Sequence, residues 1–213
     1  MADQLAYSEK LYFDSIEKNC KIIFDVGSEA DSIFFNYEKE VHYFEPNTEH
    51  FNRLKKTSTK NSSNYCNNFG LSDSDLKLDY YSCGSFFDRS KCIFGPIQSD
   101  IINKFPVKRG DWYCDSNNIK GIDFLKIDVE GFELKVLIGF GNYLSNTKYI
   151  QFEYGIGLND AGFKLSDITN YLIKFGFEKF YYQTNSGLVE VKSFDDDWRW
   201  CNICCSNKNL VEN

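Results

Sequence analysis

Acidic residues and glycines stand at the ends of four short apolar runs, where their side chains can take part in chemistry. The runs end in Asp25-Val26-Gly27, Glu45-Pro46, Asp128-Val129-Glu130-Gly131 and Glu153-Tyr154-Gly155. In open parallel sheets, ligands bind outside the carboxyl ends of the strands. The four matching positions therefore predict one shared binding site. The alternative for each acid is that it caps the helix that follows it.

The spacing of the first two runs predicts a nucleoside in this site. Gly27 lets a ligand approach the backbone closely, because glycine has no side chain. Glu45 follows this glycine turn by roughly 20 residues, which is the spacing of a carboxylate that accepts hydrogen bonds from ribose hydroxyls.

The elements that position these residues alternate between strands and helices. Strands are expected over 20–27, 41–46, 64–69, 122–128, 148–154, 177–183 and 198–205, and helices from 47, over 130–140 and over 165–175. This order predicts an α/β domain with a mostly parallel sheet. No helix separates the last two strands, so they are expected to form an antiparallel hairpin at one edge.

The domain organisation follows from the same pattern. We expect one domain over residues 1–213, since a chain of 213 residues is of ordinary single-domain size. The segment of about 73–121 interrupts the alternation and is rich in aromatic residues. It is too long for an ordinary connection, and long insertions usually serve as lids or binding loops.

Composition excludes several classes of protein. With 42% apolar and 26% charged residues, the chain is not expected to be disordered. The net charge of −7 argues against nucleic acid as a partner. No apolar run approaches the roughly 20 residues of a membrane span, and no secretory signal is visible. Eight cysteines without such a signal favour a reducing, cytoplasmic location with free thiols.

Several segments resemble the FkbM-type methyltransferases. They are Ile23-Phe24-Asp25-Val26-Gly27, Tyr43-Phe44-Glu45-Pro46, Phe69-Gly70-Leu71-Ser72-Asp73, Gln151-Phe152-Glu153-Tyr154 and, the most specific, the run from Asp123 to Glu133. The resemblance spans about residues 21–205. It implies a Rossmann-like class I fold with a seven-stranded sheet, the cofactor S-adenosylmethionine, and O-methylation of a sugar or glycan hydroxyl.

The resemblance also assigns the cofactor-binding residues. Asp25, Gly27 and Ser28 would line the methionine end, Glu45 would hold the ribose, and Asp128 would lie beside the transferable methyl group. Asn68, Gly70 and Leu71 would border the adenine. The full implied set is Phe24, Asp25, Gly27, Ser28, Asp31, Ser32, Glu45, Pro46, Asn68, Gly70, Leu71 and Asp128.

One position departs from the family pattern. The glycine loop D-V-G-x-x-x-G has Asp31 in place of its second glycine. A carboxylate there could repel the cofactor carboxylate or bind its ammonium, or Asp31 or Ser32 could cap a following helix. The departure motivates an alternative function, a catalytically inactive binding module in a glycan-building complex.

The candidate catalytic residues follow from the need to deprotonate a hydroxyl. Asp128 and Glu153 are the first candidates for the base, and Glu130 and Lys126 are lesser ones. The same carboxylates could hold a divalent metal that lowers the hydroxyl pKa, although the sequence gives that metal no separate support. Lys126 could instead form an internal salt bridge with a neighbouring acid.

The acceptor site is expected in the 73–121 segment, because sugar rings pack on aromatic side chains. The candidates are Tyr80, Tyr81, Ser85, Phe86, Phe87 and Arg89, together with Tyr154 at the end of the fifth strand. The alternative is that these rings fill a secondary core. Arg89 could equally bind a phosphate or carboxylate of the acceptor.

Overall fold

The computed structural model describes residues 9–58, 63–92, 96, 98–192 and 200–211. Its strands are β1 (Ile22–Val26), β2 (Glu40–Phe44), β3 (Asn64–Asn67), β4 (Gly70–Ser72), β5 (Leu76–Tyr81), β6 (Ile101–Arg109), β7 (Ile122–Ile127), β8 (Thr147–Tyr154), β9 (Phe177–Thr184), β10 (Gly187–Glu190) and β11 (Cys201–Asn207). Its helices are α1 (Lys10–Ile16), α2 (Thr48–Ser58), α3 (Gly110–Ser116), α4 (Glu133–Phe140), α5 (Ile156–Asp160), α6 (Leu165–Ile173) and α7 (Lys208–Val211). Short 3-10 helices cover Glu17–Asn19, Arg89–Lys91 and Gly141–Asn146.

The main sheet has the strand order β10-β9-β11-β8-β7-β1-β2-β3. The five strands from β8 to β3 in this order are parallel, and β11, β9 and β10 are antiparallel additions at one side. The α/β class with a mostly parallel sheet and antiparallel edge strands is therefore confirmed.

The edge hairpin differs in detail from the expectation. The partner of β9 across the tight turn is β10, whereas β11 lies between β9 and β8, which makes eight strands among the described residues. Burial explains this order, since five of the seven residues of β11 are buried while all four residues of β10 are exposed. An apolar strand belongs inside a sheet and an exposed one at its edge. Residues 198 and 199 of the expected last strand lie outside the described residues.

Both faces of the central strands are buried, as their continuous apolar runs predict. Ile23 and Phe124 pack into a cluster with Phe13 and Phe34 on one face. Phe24, Leu125 and their neighbours pack against α3, α4 and α6 on the other face. The central strands therefore have little freedom to shift, and their carboxyl ends form a firm platform.

The connection from β1 to β2 contains no α-helix, so a cap of a following helix by Asp31 or Ser32 was a wrong alternative. Aromatic side chains cover the sheet instead. Phe34 is fully buried, and its ring lies 4.9 Å from that of Phe13 and 5.9 Å from that of Phe124. The large rings fill the volume that a helix would otherwise occupy.

A second sheet is built from β4, which precedes the expected insertion, and from β5 and β6 inside it. It has three strands in the order β4-β6-β5, with β4 parallel and β5 antiparallel to β6. Residues 93–95 and 97 of the insertion lie outside the described residues. The rings of Tyr80 and Phe105 lie 5.1 Å apart, and Phe86 lies 5.3 Å from Tyr80. These contacts support the secondary-core alternative for several of the aromatic residues.

Helix α4 joins the two sheets through a close backbone approach. A Cβ atom added at Gly139 would lie 2.0 Å from the carbonyl oxygen of Ser72 in β4. Glycine inside a helix usually lowers stability relative to alanine. Here it is required, because only hydrogen fits between the helix and the strand.

We therefore expect Gly139→Ala to destabilise the protein by about 1–3 kcal/mol, because the added methyl group overpacks the contact with Ser72. This effect is opposite in sign to the helix propensity of alanine, which alone would raise stability. The control is Asn170→Ala at an exposed position of α6, which should leave the free energy of unfolding unchanged or slightly raised. Urea denaturation followed by circular dichroism measures both. A Gly139→Ala variant as stable as the parent would contradict this packing.

Candidate active site

A cavity of about 270 Å³ opens at the carboxyl ends of β1, β2, β7 and β8, beneath the second sheet. The described residues that line it include seven carboxyl groups and one ammonium group. The acids are Glu9, Glu29, Asp31, Glu45, Asp128, Glu130 and Glu153, and the cation is Lys126. This charge balance favours a ligand that carries positive charge.

The glycine turn brings the ends of three strands together. Gly27 has a φ of +81°, and a Cβ atom there would lie 1.8 Å from the carbonyl oxygen of Asp128. The N–H groups of Gly27 and Ser28 donate to the carbonyl of Phe44 at 3.0 and 3.3 Å. No other residue fits this position, so Gly27 sets the distance between the loop and Asp128.

Glu45 is held rigidly at the end of β2. Its Oε2 accepts the backbone N–H of Glu29 at 3.0 Å, and its Oε1 accepts that of Asn47 at 2.7 Å. The side chain of Asn68 donates to the Glu45 carbonyl at 3.0 Å. Burial outweighs these hydrogen bonds and raises the pKa of Glu45 to about 7. A donor from a ligand, such as a hydroxyl, would favour the ionised form.

Lys126 forms ion pairs at the carboxyl ends of β1 and β7. Its Nζ lies 3.1 Å from Asp128 Oδ2, 3.2 Å from Glu9 Oε2 and 4.0 Å from Asp25 Oδ1. Burial alone would lower the pKa of Lys126, but these carboxylates outweigh it and raise the pKa. The internal salt bridge that was the alternative for Lys126 is therefore present, and two of its partners, Asp25 and Asp128, are predicted site residues themselves.

Asp25 lies beneath the cavity rather than in its wall. It is 1% exposed, its Oδ2 accepts the Ser32 hydroxyl at 2.6 Å, and burial raises its pKa. Asp25 and Lys126 are paired residues of the parallel strands β1 and β7. Lys126 therefore links buried Asp25 to Asp128 at the cavity.

The substituted position of the glycine loop has an ordinary backbone. Asp31 lines the cavity, and its φ is not positive. Besides Gly27, the residue of this loop with a left-handed backbone is Glu29, with a φ of +47°. Loss of the second glycine thus imposes no backbone strain, and its consequence is an added negative charge at the cavity.

Asp128, Glu130 and Glu153 form a cluster in which one oxygen of each lies within 4.8 Å of the others. Burial and the neighbouring Asp128 and Glu130 raise the pKa of Glu153 to about 8. Burial and Asp128 also raise the pKa of Glu130, which Arg89 partly opposes. The indole N–H of Trp200 donates to Glu153. A carboxylate with a raised pKa is a suitable proton acceptor near neutral pH.

Aromatic side chains from β5, from the segment after it and from the residue before α4 form an apolar part of the cavity wall. Tyr80, Phe86 and Phe132 line the cavity, with the rings of Phe86 and Phe132 5.8 Å apart. Ser85 is buried and donates to the Glu130 carbonyl at 3.4 Å. Arg89 contacts Glu130 Oε2 at 3.5 Å and borders an adjoining void of about 10 Å³. Among the acceptor candidates, Tyr80 and Phe86 therefore line the cavity, whereas Ser85 and Arg89 contact Glu130 from outside its wall.

Thirteen of the predicted site residues line the cavity together, Tyr80 and twelve others. The twelve others are Gly27, Ser28, Asp31, Glu45, Pro46, Gly70, Leu71, Phe86, Lys126, Asp128, Glu130 and Glu153. Asp25, Ser32, Asn68 and Ser85 support these residues through hydrogen bonds. The remaining candidates are not in the wall of this cavity: Phe24 and Tyr154 are core residues, Arg89 borders the adjoining void, and Tyr81 and Phe87 lie in the second-sheet segment.

Sequence reasoning missed Glu9, Glu29 and Phe132 as cavity residues. Glu9 precedes α1, far from the strand-end motifs, and no local signal indicates its position. Phe132 lies inside the run from Asp123 to Glu133 and within the helix expected over 130–140, where an apolar residue indicates core packing. Glu29 lies in the middle of the loop after β1. The prediction considered only acids directly at strand ends, so it did not include Glu29.

The strand order and the cavity at the strand ends are those of a Rossmann-like α/β domain with a ligand site at the carboxyl edge of its sheet. The family model of the FkbM methyltransferase domain matches residues 25–179, which is more than half of the chain. The chain therefore belongs to the FkbM methyltransferase family, as its motifs predicted. No curated protein sequence matches the chain significantly.

Several solved structures are similar in fold. The SAM-dependent O-methyltransferase from Thermotoga maritima is 12% identical with a TM-score of 0.45, over 96% of this chain and 66% of its own. TrmK from M. capricolum, in complex with S-adenosylhomocysteine, is 12% identical with a TM-score of 0.49, over 94% and 68%. The fibrillarin pre-rRNA processing protein from Methanococcus jannaschii is 13% identical with a TM-score of 0.48, over 88% and 66%.

This chain thus spans slightly less than two thirds of the length of the Thermotoga and Methanococcus proteins. At these identities the similarity concerns the fold alone. Within the described ranges, no helix has both the length and the apolar character that crossing a bilayer requires.

Buried Glu45 predicts a pH dependence of stability. The pKa of Glu45 is about 7 in the folded protein, whereas the ordinary value of 4.5 applies to the unfolded chain. Between these values the folded state holds a proton that the unfolded chain releases, so the free energy of unfolding falls as pH rises. Glu45→Gln should make this slope shallower by up to about 1.4 kcal/mol per pH unit.

Urea denaturation at a series of pH values from about 5 to 8 measures the slope, with no cofactor present. The control is Glu49→Gln on the exposed side of α2, whose side chain is 83% exposed. The slope, rather than the absolute stability, is the readout, because Gln also alters the two hydrogen bonds of Glu45. Equal slopes for the parent and Glu45→Gln would contradict the prediction.

Proposed function

We propose that this chain is an O-methyltransferase that transfers the methyl group of S-adenosylmethionine to a hydroxyl of a sugar or glycan. The observation that carries the proposal is the joint position of Glu45 and Asp128 at one anionic cavity, with an apolar wall opposite. Cytoplasmic location is part of the proposal, and the eight free cysteines support it.

The cavity suits the cofactor in charge and in polar groups. S-adenosylmethionine supplies an electrophilic methyl group on a sulfonium sulfur and also carries an ammonium. Seven acids against Lys126 favour such a cationic molecule. Glu45 has two oxygens fixed at the end of β2 and would accept from the two ribose hydroxyls. Asp31 and Glu29 would lie near the ammonium.

The methyl transfer is a direct displacement. The acceptor oxygen forms a bond to the methyl carbon while the bond from that carbon to sulfur breaks, with its electron pair passing to sulfur. The chain therefore mainly has to align the acceptor. Asp128 or Glu153 would accept the hydroxyl proton. The raised pKa of Glu153, about 8, lets it hold that proton near neutral pH.

The acceptor would bind between the acids and the second sheet. Tyr80 and Phe86 present an apolar surface of the kind on which sugar rings pack. The sheet rests on α4 through Gly139 and Ser72. We therefore also propose that the 73–121 segment of this single domain acts as the acceptor-binding lid.

Asp31 favours a second candidate function, a binding module without methyl transfer. Its carboxylate stands where the family pattern has glycine, and it faces the cavity. A cofactor that binds but does not react, whatever the acceptor, would select this alternative.

Cofactor binding tests the first step. Glu45→Ala removes the charged acceptor of two hydrogen bonds, each worth about 1.5–3 kcal/mol, so the Kd for S-adenosylmethionine should rise at least about tenfold. Titration calorimetry measures it. Glu49→Ala, on exposed α2, is the matched control and should bind like the parent. Parent protein that binds no cofactor at high micromolar concentration would contradict the proposal.

Acceptor chemistry tests the second step. The protein is incubated with methyl-labelled S-adenosylmethionine and a panel of sugars and glycans, and mass spectrometry reports added methyl groups. Asp128→Asn should lower turnover by about 10²-fold or more, since a proton acceptor contributes roughly that much, and Glu49→Ala should not. Label on nitrogen or carbon rather than oxygen would show that the acceptor class is wrong.

A further inference from the structure

The loop between β7 and α4, residues 128–132, carries two acids of the cavity in an unusual backbone conformation. We call it the acid loop, after Asp128 and Glu130, which both border the cavity. Glu130 has a φ of +55° and Gly131 a φ of +106°. A left-handed backbone is unfavourable for a glutamate, and residues persist in it where their surroundings hold them. The neighbours of the acid loop therefore determine where its carboxylates lie.

One segment of the insertion, residues 85–89, packs on the acid loop. The hydroxyl of Ser85 donates to the Glu130 carbonyl at 3.4 Å. The ring of Phe87 lies directly against the backbone, since a Cβ atom at Gly131 would be 2.9 Å from it. Arg89 Nη1 lies 3.5 Å from Glu130 Oε2, and the arginine side chain is only 14% exposed. The insertion thus contacts the acid loop at its backbone and at a charged side chain.

Arg89 has a second polar group that its contact with Glu130 does not use. Its Nε is buried and has no hydrogen-bond partner among the described residues, and the same holds for Oε2 of Glu133. Glu133 is the first residue of α4 and is 1% exposed. Its other oxygen accepts the N–H groups of Val129 and Gly131, both at 3.2 Å. Glu133 therefore holds the acid loop from the helix side.

Arg89 and Glu133, which carry these two unpartnered atoms, border one void of about 10 Å³. One atom is a hydrogen-bond donor and the other an acceptor, so a neutral molecule that both accepts and donates suits the space between them. A void of this size corresponds to a single water molecule. Such a water would accept from Arg89 Nε and donate to Glu133 Oε2. It would remove the cost of burying both groups without a partner.

We propose that Arg89 is a positioning residue that fixes the acid loop to the insertion, directly through Glu130 and through one bound water to Glu133. Arginine suits this role, because its planar guanidinium presents several donors in fixed directions. Nη1 faces one acid, which leaves Nε for the water. A lysine at this position has one ammonium group and would serve only one of the two contacts.

The consequence for catalysis rests on the proposed function. There the acceptor hydroxyl lies between the insertion and the acids, so a fixed acid loop keeps the carboxylates aligned with the acceptor. Glu45 is held separately, by the backbone N–H groups of Glu29 and Asn47. Loss of Arg89 should therefore impair acceptor turnover much more than cofactor binding.

Hydrogen exchange followed by NMR on the full-length chain, without cofactor or acceptor, tests the direct part of the link. Arg89→Met should speed exchange at the N–H groups of Val129 and Gly131 at least about tenfold, because the acid loop opens more often. The N–H of Gly27, which donates to β2, should exchange as in the parent. Arg89→Lys should give an intermediate rate, and it gives the answer if Arg89→Met does not fold.

Lys104→Met is the matched control for the loss of a charge. Its ammonium group lies 2.8 Å from Asp79 in the same second sheet, and its side chain is 65% exposed. An exposed ion pair contributes little, so exchange in the acid loop should match the parent. Equal acceleration at Gly27 and Gly131 in Arg89→Met, or acceleration at neither, overturns the positioning role.

A double-mutant cycle tests the water-mediated part. Urea denaturation of Arg89→Met, Glu133→Gln and the double variant gives their equilibrium constants for unfolding. Because the two groups are coupled, the double variant should be at least about threefold more stable in this constant than the two single effects predict. A crystal structure should show one water bonded to both Arg89 Nε and Glu133 Oε2. Additive effects, or no water bonded to both atoms, overturn this contact.

Ligand measurements separate this inference from the proposed function. Arg89→Met should bind S-adenosylhomocysteine within about twofold of the parent and lose at least about tenfold in kcat, since misplaced groups lower turnover. Arg89→Lys should lie between the two. Parent-like kcat in Arg89→Met overturns the positioning role and leaves the proposed function intact. Acid-loop exchange that depends on Arg89, in a protein that methylates no hydroxyl, supports the positioning role and overturns the proposed function.

Discussion

Repulsion among carboxylates at one edge of the sheet is the constraint on which the rest of the site depends. The parallel strands β1, β2, β7 and β8 bring Asp25, Glu45, Asp128 and Glu153 to the same side. Lys126 is buried among three acids and compensates part of their charge. Burial, with a smaller contribution from neighbouring acids, raises the pKa of Glu45 and Glu153. The remaining excess of carboxyl groups gives the cavity its preference for cationic ligands.

Backbone contacts hold this charged edge in place. Gly27 allows the first loop to meet the Asp128 carbonyl, and Gly139 allows α4 to meet Ser72. The contact at Gly27 fixes the first loop against Asp128 at the cavity. The contact at Gly139 fixes the second sheet against α4. Because neither position tolerates a side chain without movement, the polar groups keep their spacing although the loops between them are irregular.

Much of this arrangement could be predicted from local sequence signals. The central strands are continuous apolar runs, each ending in an acid. The α/β fold class, the order of the strands along the chain and a common cavity at their ends could therefore be predicted. The exposed strand β10 and the pairing of β4 with β6 were not. Their residues are short or polar, and their partners lie far away along the chain.

Other features depend on tertiary structure alone. Glu9 reaches Lys126 from the residue before α1, and nothing in its neighbours indicates this. Phe34 fills the place where a helix was an alternative, and its role depends on contacts with Phe13 and Phe124. Glu133 was part of an apolar helical pattern, and only its buried carboxylate oxygen reveals an unsatisfied group.

A crystal structure of the protein with S-adenosylhomocysteine tests the central claim most directly, because it shows which residues the nucleoside and the sulfur contact. The account predicts that both ribose hydroxyls donate to Glu45 and that the sulfur faces Asp128 across the cavity. A ligand bound elsewhere, or one whose ribose lies away from Glu45, would contradict it.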